Sequence, residues 1–86
     1  VAIRAKSHTL TTTPAKLGHA SKVVRNVWIS NQSGSTIRIK GVDDLAVSAD
    51  HFDIPTGTIF GPIEIDSDLF GYVASGTADI TVLEVL

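Results

Sequence analysis

The sequence predicts an all-β domain: a small antiparallel β-sandwich or partly closed barrel of six to eight short strands. Three observations predict it. Val, Ile and Thr each occur nine times among 86 residues, and these β-branched side chains are stiff at χ1 and pack well on a pleated surface. Strong helix formers are scarce, with two Glu and no Met. Seven Gly and three Pro divide the chain into short pieces.

Val1, Ile3 and Ala5 alternate with Arg4 and Lys6, which marks a short peripheral strand over residues 1–10. Residues 11–13 run extended, because Pro14 disfavours helical geometry at Thr13. Residues 14–17 allow one helical turn ended by Gly18. The polar, basic character of residues 1–20 also allows an extended N-terminal arm. The clearest strand covers residues 22–30, with Val23, Arg25, Val27 and Ile29 on one face and Val24, Asn26, Trp28 and Ser30 on the other. Apolar residues on both faces make it central. Residues 31–35 turn, and residues 36–40 return as its hairpin partner, with Ile37 and Ile39 inward and Arg38 and Lys40 toward water.

Gly41 interrupts that strand, Asp43-Asp44 opens a loop, and residues 45–48 suit a short edge strand. Residues 50–56 read as irregular, with Phe52 and Ile54 as lids on the core. Pro55-Thr56-Gly57 fits a tight turn with Gly57 at positive φ. Residues 58–65 form the next strand, bent at Gly61-Pro62; lacking an N–H, Pro62 belongs at an edge or a bulge. After a turn at 66–68, residues 69–74 place Phe70 and Tyr72 on one face and Leu69 and Val73 on the other. Residues 78–86 close the fold. Their apolar phase slips between Val82 and Leu83, so either both faces are buried or a bulge intervenes.

Length and composition bound the function. At 9.1 kDa the chain is one domain, and so small a domain is marginal alone, which makes a partner surface expected though not required. Cysteine is absent, which removes disulfides, thiolate nucleophiles and Cys-based zinc sites. No apolar run approaches the roughly 18 residues of a membrane span, and no signal peptide is evident. Val1 suits either a removed initiator Met or a trimmed precursor.

Charge is the most informative feature. All seven Lys and Arg fall in residues 1–40 and all nine Asp and Glu in residues 43–84. Cross-strand pairing that interleaves the halves explains this. So does a module that docks head to tail or on a charged scaffold. Nucleic-acid binding needs aromatic platforms beside the basic residues; the basic half holds only Trp28, out of phase with Arg25, and no nucleic-acid-binding signature occurs.

The chemical motifs are sparse. His8, His19 and His51 are far apart. Asp50-His51-Phe52-Asp53, Asp43-Asp44 and Asp66-x-Asp68 fall short of calcium's six to eight oxygens, and capping of turns by Asp43, Asp66 and Asp68 explains those carboxylates. No G-x-S-x-G elbow or P-loop is present. Glu64 and Glu84 form the available carboxylate pair for glycoside hydrolysis, without a cleft to hold a sugar between them. No enzyme activity, cofactor or metal is expected. Trp28 and Tyr72 suit a sugar-stacking patch or, more commonly, core or interface packing.

Residues 27–41 (VWISNQSGSTIRIKG) resemble a pattern common in small structural proteins of tailed bacteriophages: a strand ending in Asn, a Ser/Gly turn, and a strand ending in Gly. Residues 52–57 (FDIPTG) resemble an F-x-L-x-x-G loop of such proteins, residues 69–84 resemble their strand, small-residue turn and closing strand, and residues 11–17 fit their Thr/Ala lead-in. Each motif is short, but together they span most of the chain. The resemblance implies a non-enzymatic virion module that binds and stabilises an assembled capsid (decoration or cement), or else a tail- or fibre-associated docking or glycan-binding module. It implies a major capsid protein or another virion protein as partner, a capsid-surface or head/tail location, and a homo-oligomer, with a trimer favoured. No nucleic-acid or membrane partner is expected. The family has no catalytic residues to carry over. Asp50, His51 and Asp53 stand where such loops are often uncharged, and with Arg4, Lys6, Trp28 and Tyr72 they are the interface candidates.

Overall fold

The computed structural model describes residues 2–19, 22–41 and 51–86. Its order is β1 (Ile3–Leu10), β2 (Ala15–Lys16), β3 (Arg25–Asn31), β4 (Ile37–Lys40), β5 (Phe52–Ile54), β6 (Thr58–Ile65), β7 (Phe70–Tyr72) and β8 (Ala78–Val85), with no helix among the described residues. Two antiparallel four-stranded sheets form: sheet A in the order β1-β8-β3-β6 and sheet B in the order β2-β7-β4-β5. Both keep open edges, so the architecture is a sandwich and not a barrel. The shortest principal extent, 16 Å, fits two sheets about 10 Å apart and no third layer.

The core lies where the two inner faces meet. β3 gives Val27 and Ile29, β8 gives Ala78, Ile80 and Val82, β4 gives Ile37 and Ile39, and Ile54, Leu10, Leu17, Leu69 and Val73 complete it. Period-2 alternation produces this directly, because successive side chains point to opposite faces of a strand. β8 settles the phase slip seen in sequence: its register runs unbroken against β1 and β3. Leu83 and Val85 are therefore on its outer face, opposite Val82 and Glu84.

Several expectations change. β3 and β4 do not pair as a hairpin. Both edges of β3 are taken by β8 and β6, so the 31–36 turn carries the chain across to sheet B. Asn31 holds that crossing: fully buried, its Nδ2 donates to the carbonyls of Ser35 at 2.8 Å and Ile54 at 2.9 Å, and its Oδ1 accepts from the Ser33 hydroxyl at 2.7 Å. Residues 15–16 form β2 against β7, not a helical turn. Residues 52–54, expected to be irregular, form β5 against β4. Ile54 is buried as a lid, whereas Phe52 is exposed and closes the open side against Phe60, with ring centroids 5.1 Å apart. The segment 1–20, which the sequence allows as an arm, contributes β1, paired with β8 from Ile3 to Leu10, and β2. The strand expected at 45–48 lies outside the described residues. β6 is an edge strand bent at Gly61-Pro62: β3 advances two residues, from Val27 to Ile29, while β6 retreats three, from Ile63 to Phe60. That is a bulge. Gly61 has φ +125°, and a Cβ there would lie 2.5 Å from the Val27 carbonyl oxygen, so glycine fits this approach.

Candidate functional site

A buried ion pair fixes one end of the sandwich. Arg25 and Glu84 side chains are 0% and 1% exposed, and Arg25 Nε donates to Glu84 Oε2 at 2.7 Å. The remaining guanidinium nitrogens donate to the carbonyls of Val23 at 2.8 Å and Ser67 at 3.0 Å. Glu84 Oε1 accepts from the His19 N–H at 2.5 Å. Four segments are thus joined at one point, and the fully satisfied geometry is what makes a buried pair tolerable. Glu84 cannot serve as half of a hydrolytic carboxylate pair, because Glu64 is exposed on the opposite face of sheet A.

The charge segregation seen in sequence resolves in part into internal pairing, which takes up three of the seven bases. Lys16 approaches Asp68 and Arg38 approaches Asp53, each at 4.0 Å, and Arg25 pairs with Glu84. Each of these pairs joins the basic part of the chain to the acidic part. The two at 4.0 Å are partly exposed and contribute little energy.

The outer faces of the two sheets differ in chemistry. Arg38 opposes both Tyr72 and Asp53 on the outer face of sheet B. Lys40 Nζ lies 5.3 Å and Arg38 Cζ 6.0 Å from the Tyr72 ring centroid, within cation–π range. His51 meets the same ring edge-on at 6.1 Å. Its Nδ1 is 2.8 Å from Asp53 Oδ1, without in-line hydrogen-bond geometry. Tyr72 is only 5% exposed, and its hydroxyl has no hydrogen-bond partner among the described residues. This face is charged, and its aromatic ring is sealed among cations.

The outer face of sheet A carries an apolar patch at one end, and Ser7, Thr9, Ser30, Asp79 and Thr81 make its other end polar. Ala5, Leu83 and Trp28 lie side by side across β1, β8 and β3. Around that row, Ile3, Ile59 and Val24 are 69%, 67% and 66% exposed. Large side chains exposed together on one sheet face mark an interaction surface. A shallow depression of about 250 Å³ at its corner is lined by Val24, Glu64, Ile65 and Asp66, below the usual range for small-molecule sites.

The structure brings together three of the candidate residues, His51, Asp53 and Tyr72. Arg4 and Lys6 are exposed on β1, and Asp50 lies outside the described residues. Trp28 is half-buried on the outer face of sheet A, not in the core. Trp28 and Tyr72 therefore sit on outer faces of opposite sheets and form no joint sugar-stacking patch. Sequence reasoning missed Arg38 and Lys40 as the neighbours of Tyr72. The alternation of 37–40 points them toward water; both do lie on the outer face of sheet B, but Lys40 is buried and Arg38 half-buried against the Tyr72 ring, because β4 pairs with β7, which nothing in sequence indicates. No group of three or more metal-ligating side chains occurs among the described residues. No family model, curated protein or solved structure matches the chain.

Proposed function

We propose that this protein is a non-enzymatic structural module of a virion that binds an assembled phage capsid, through the major capsid protein or another virion protein, and reinforces it. The single observation that carries the proposal is the chemical difference between the two outer faces, an exposed apolar patch around Trp28 and Leu83 on sheet A and a charged cluster on sheet B. An apolar patch of this kind suits permanent protein contact, and a charged cluster suits polar docking to a scaffold. Copies held together through sheet A would present several sheet B faces, and many weak contacts across neighbouring shell subunits make detachment slow. The resemblance of residues 27–41, 52–57 and 69–84 to small phage structural proteins supports the same role. Glycan binding loses its support with the separation of Trp28 from Tyr72.

The test is the rupture threshold of shells with and without saturating protein, under heat or osmotic stress. Bound protein raises the threshold. An unchanged threshold overturns the cement role and leaves a tail- or fibre-associated docking role as the alternative.

A further inference from the structure

We propose that the free edge of β1 takes one more antiparallel strand from a partner protein, an extended segment that alternates acidic and apolar residues. This deepens the role proposed above by naming the part of the partner that is held, and it rests on that reading for the partner being a virion protein.

β1 is the longest regular edge among the described residues. It runs eight residues, Ile3–Leu10, without Pro or Gly, and its register against β8 is unbroken. The other edges are β6, interrupted by Pro62 and a bulge, and β2 and β5, of two and three residues. The ladder fixes which backbone groups of β1 are free. Ala2 and Leu86 exchange both N–H···O bonds, at 3.1 and 2.8 Å, so they are a hydrogen-bonded pair. Such pairs alternate along an antiparallel ladder. Arg4, Lys6, His8 and Leu10 therefore bond to β8, while Ile3, Ala5, Ser7 and Thr9 direct N–H and C=O away from it. No element pairs with those groups among the described residues. A row of donors and acceptors two residues apart is matched by another extended strand.

Side chains select that strand. Arg4, Lys6 and His8 point to the sandwich side of β1, in register with Glu84, Val82 and Ile80. Arg4 and Lys6 are exposed and make no ion pair among the described residues. Glu84, the acid opposite Arg4, is committed to Arg25 and to the His19 N–H. Toward an added strand, Arg4 and Lys6 fall between hydrogen-bonded pairs, where opposed Cα atoms approach to about 4.5 Å and side chains are closest. Carboxylates two residues apart on the incoming strand meet both cations there, and opposite charges across strands attract. The residues between those carboxylates fall on the other side, beside Ile3 and Ala5, and extend the apolar patch of Leu83 and Trp28. A second β1 does not fit. Antiparallel pairing of two copies sets their Arg4, Lys6 and His8 side chains against each other, and inward-turned charge is one way that edges avoid pairing with themselves.

Amide exchange by NMR on the full chain tests this, with the acetylated and amidated peptide TVEVEVT as probe. The peptide binds below about 1 mM and slows exchange at Ile3, Ala5, Ser7 and Thr9, whereas Arg4, Lys6 and His8, already bonded to β8, change little. The rearranged peptide TVEEVVT does not bind. Ala5→Pro deletes one outward N–H and no bond to β8, so it weakens binding about tenfold or more with an unchanged circular dichroism spectrum. Arg4→Glu with Lys6→Glu leaves the backbone as it is and shifts the preference about tenfold from TVEVEVT toward TVKVKVT. No binding, protection elsewhere than on β1, an Ala5→Pro chain that binds as the wild type does, or a double variant that keeps the wild-type preference would each overturn the proposal. Shells that Ala5→Pro reinforces as fully as the wild type would overturn the edge as the capsid contact. Peptide binding with an unchanged shell threshold retains the edge and removes the virion role.

Discussion

Gly18 meets the buried ion pair at a position where a side chain has no room. Its φ is +80°, and a Cβ there would lie 2.5 Å from the Glu84 carboxyl carbon. The backbone of 17–19 is pressed against the carboxylate so that the His19 N–H can donate to it. Gly18→Ala therefore forces a left-handed φ on alanine and pushes Glu84 away from Arg25. Disturbing one partner of a buried pair leaves an uncompensated charge, so the expected loss is about 3 kcal/mol or more, read as a lowered urea midpoint with unchanged slope. A neutral Gly18→Ala would mean that the ion pair is not under this constraint.

At the level of elements, β1 is fastened to the 17–19 segment by His8, whose Nε2 accepts the Gly18 N–H at 3.0 Å. That acceptor exists only in the unprotonated ring. Partial burial, foremost, and the charges of Lys6 and His19 hold the His8 pKa below its ordinary value of 6.5, against a smaller opposing pull from Glu84. A depressed folded-state pKa means that the unfolded chain binds the proton more readily, so stability rises with pH here. The contribution is complete above about pH 6.5 and is lost as pH falls through the lower folded value. Thermal midpoints should fall between pH 7 and pH 5, and His8→Gln should flatten that part of the profile. An equal fall in the variant would assign the effect to other groups. The strands themselves were legible in sequence: the alternations at 22–30, 58–65 and 78–86 mark β3, β6 and β8. Their pairing was not. The 31–36 turn looks like a hairpin, because the fully buried Asn31 that carries the chain between sheets is a residue also common in hairpin turns. β2 and β5, of two and three residues, have too few positions to show a period and exist only through their ladders to β7 and β4.

For the whole molecule, the surfaces were harder to read than the core. The alternation separates the two faces of β3, but with apolar residues on both it leaves Trp28 equally suited to the core or to an interface. Only the sheet order shows that, among the described residues, this face meets no third layer. Similarly, seven bases and nine acids divide by sequence position, yet the fold joins three of the bases to acids and leaves Arg4, Lys6, Glu64 and Asp66 at opposite edges of one sheet. The central claim is that the outer face of sheet A is the surface through which this small sandwich assembles. Trp28 is the only tryptophan and sits at the middle of that face, so its fluorescence reports on it alone. Emission and acrylamide quenching should be followed from dilute protein to assembled protein, with Ile59→Asp, a charge placed on that face, as the reference. The account predicts a blue shift and a loss of quenching on assembly, both absent in Ile59→Asp. A Trp28 that stays equally quenchable in every assembled state would contradict it.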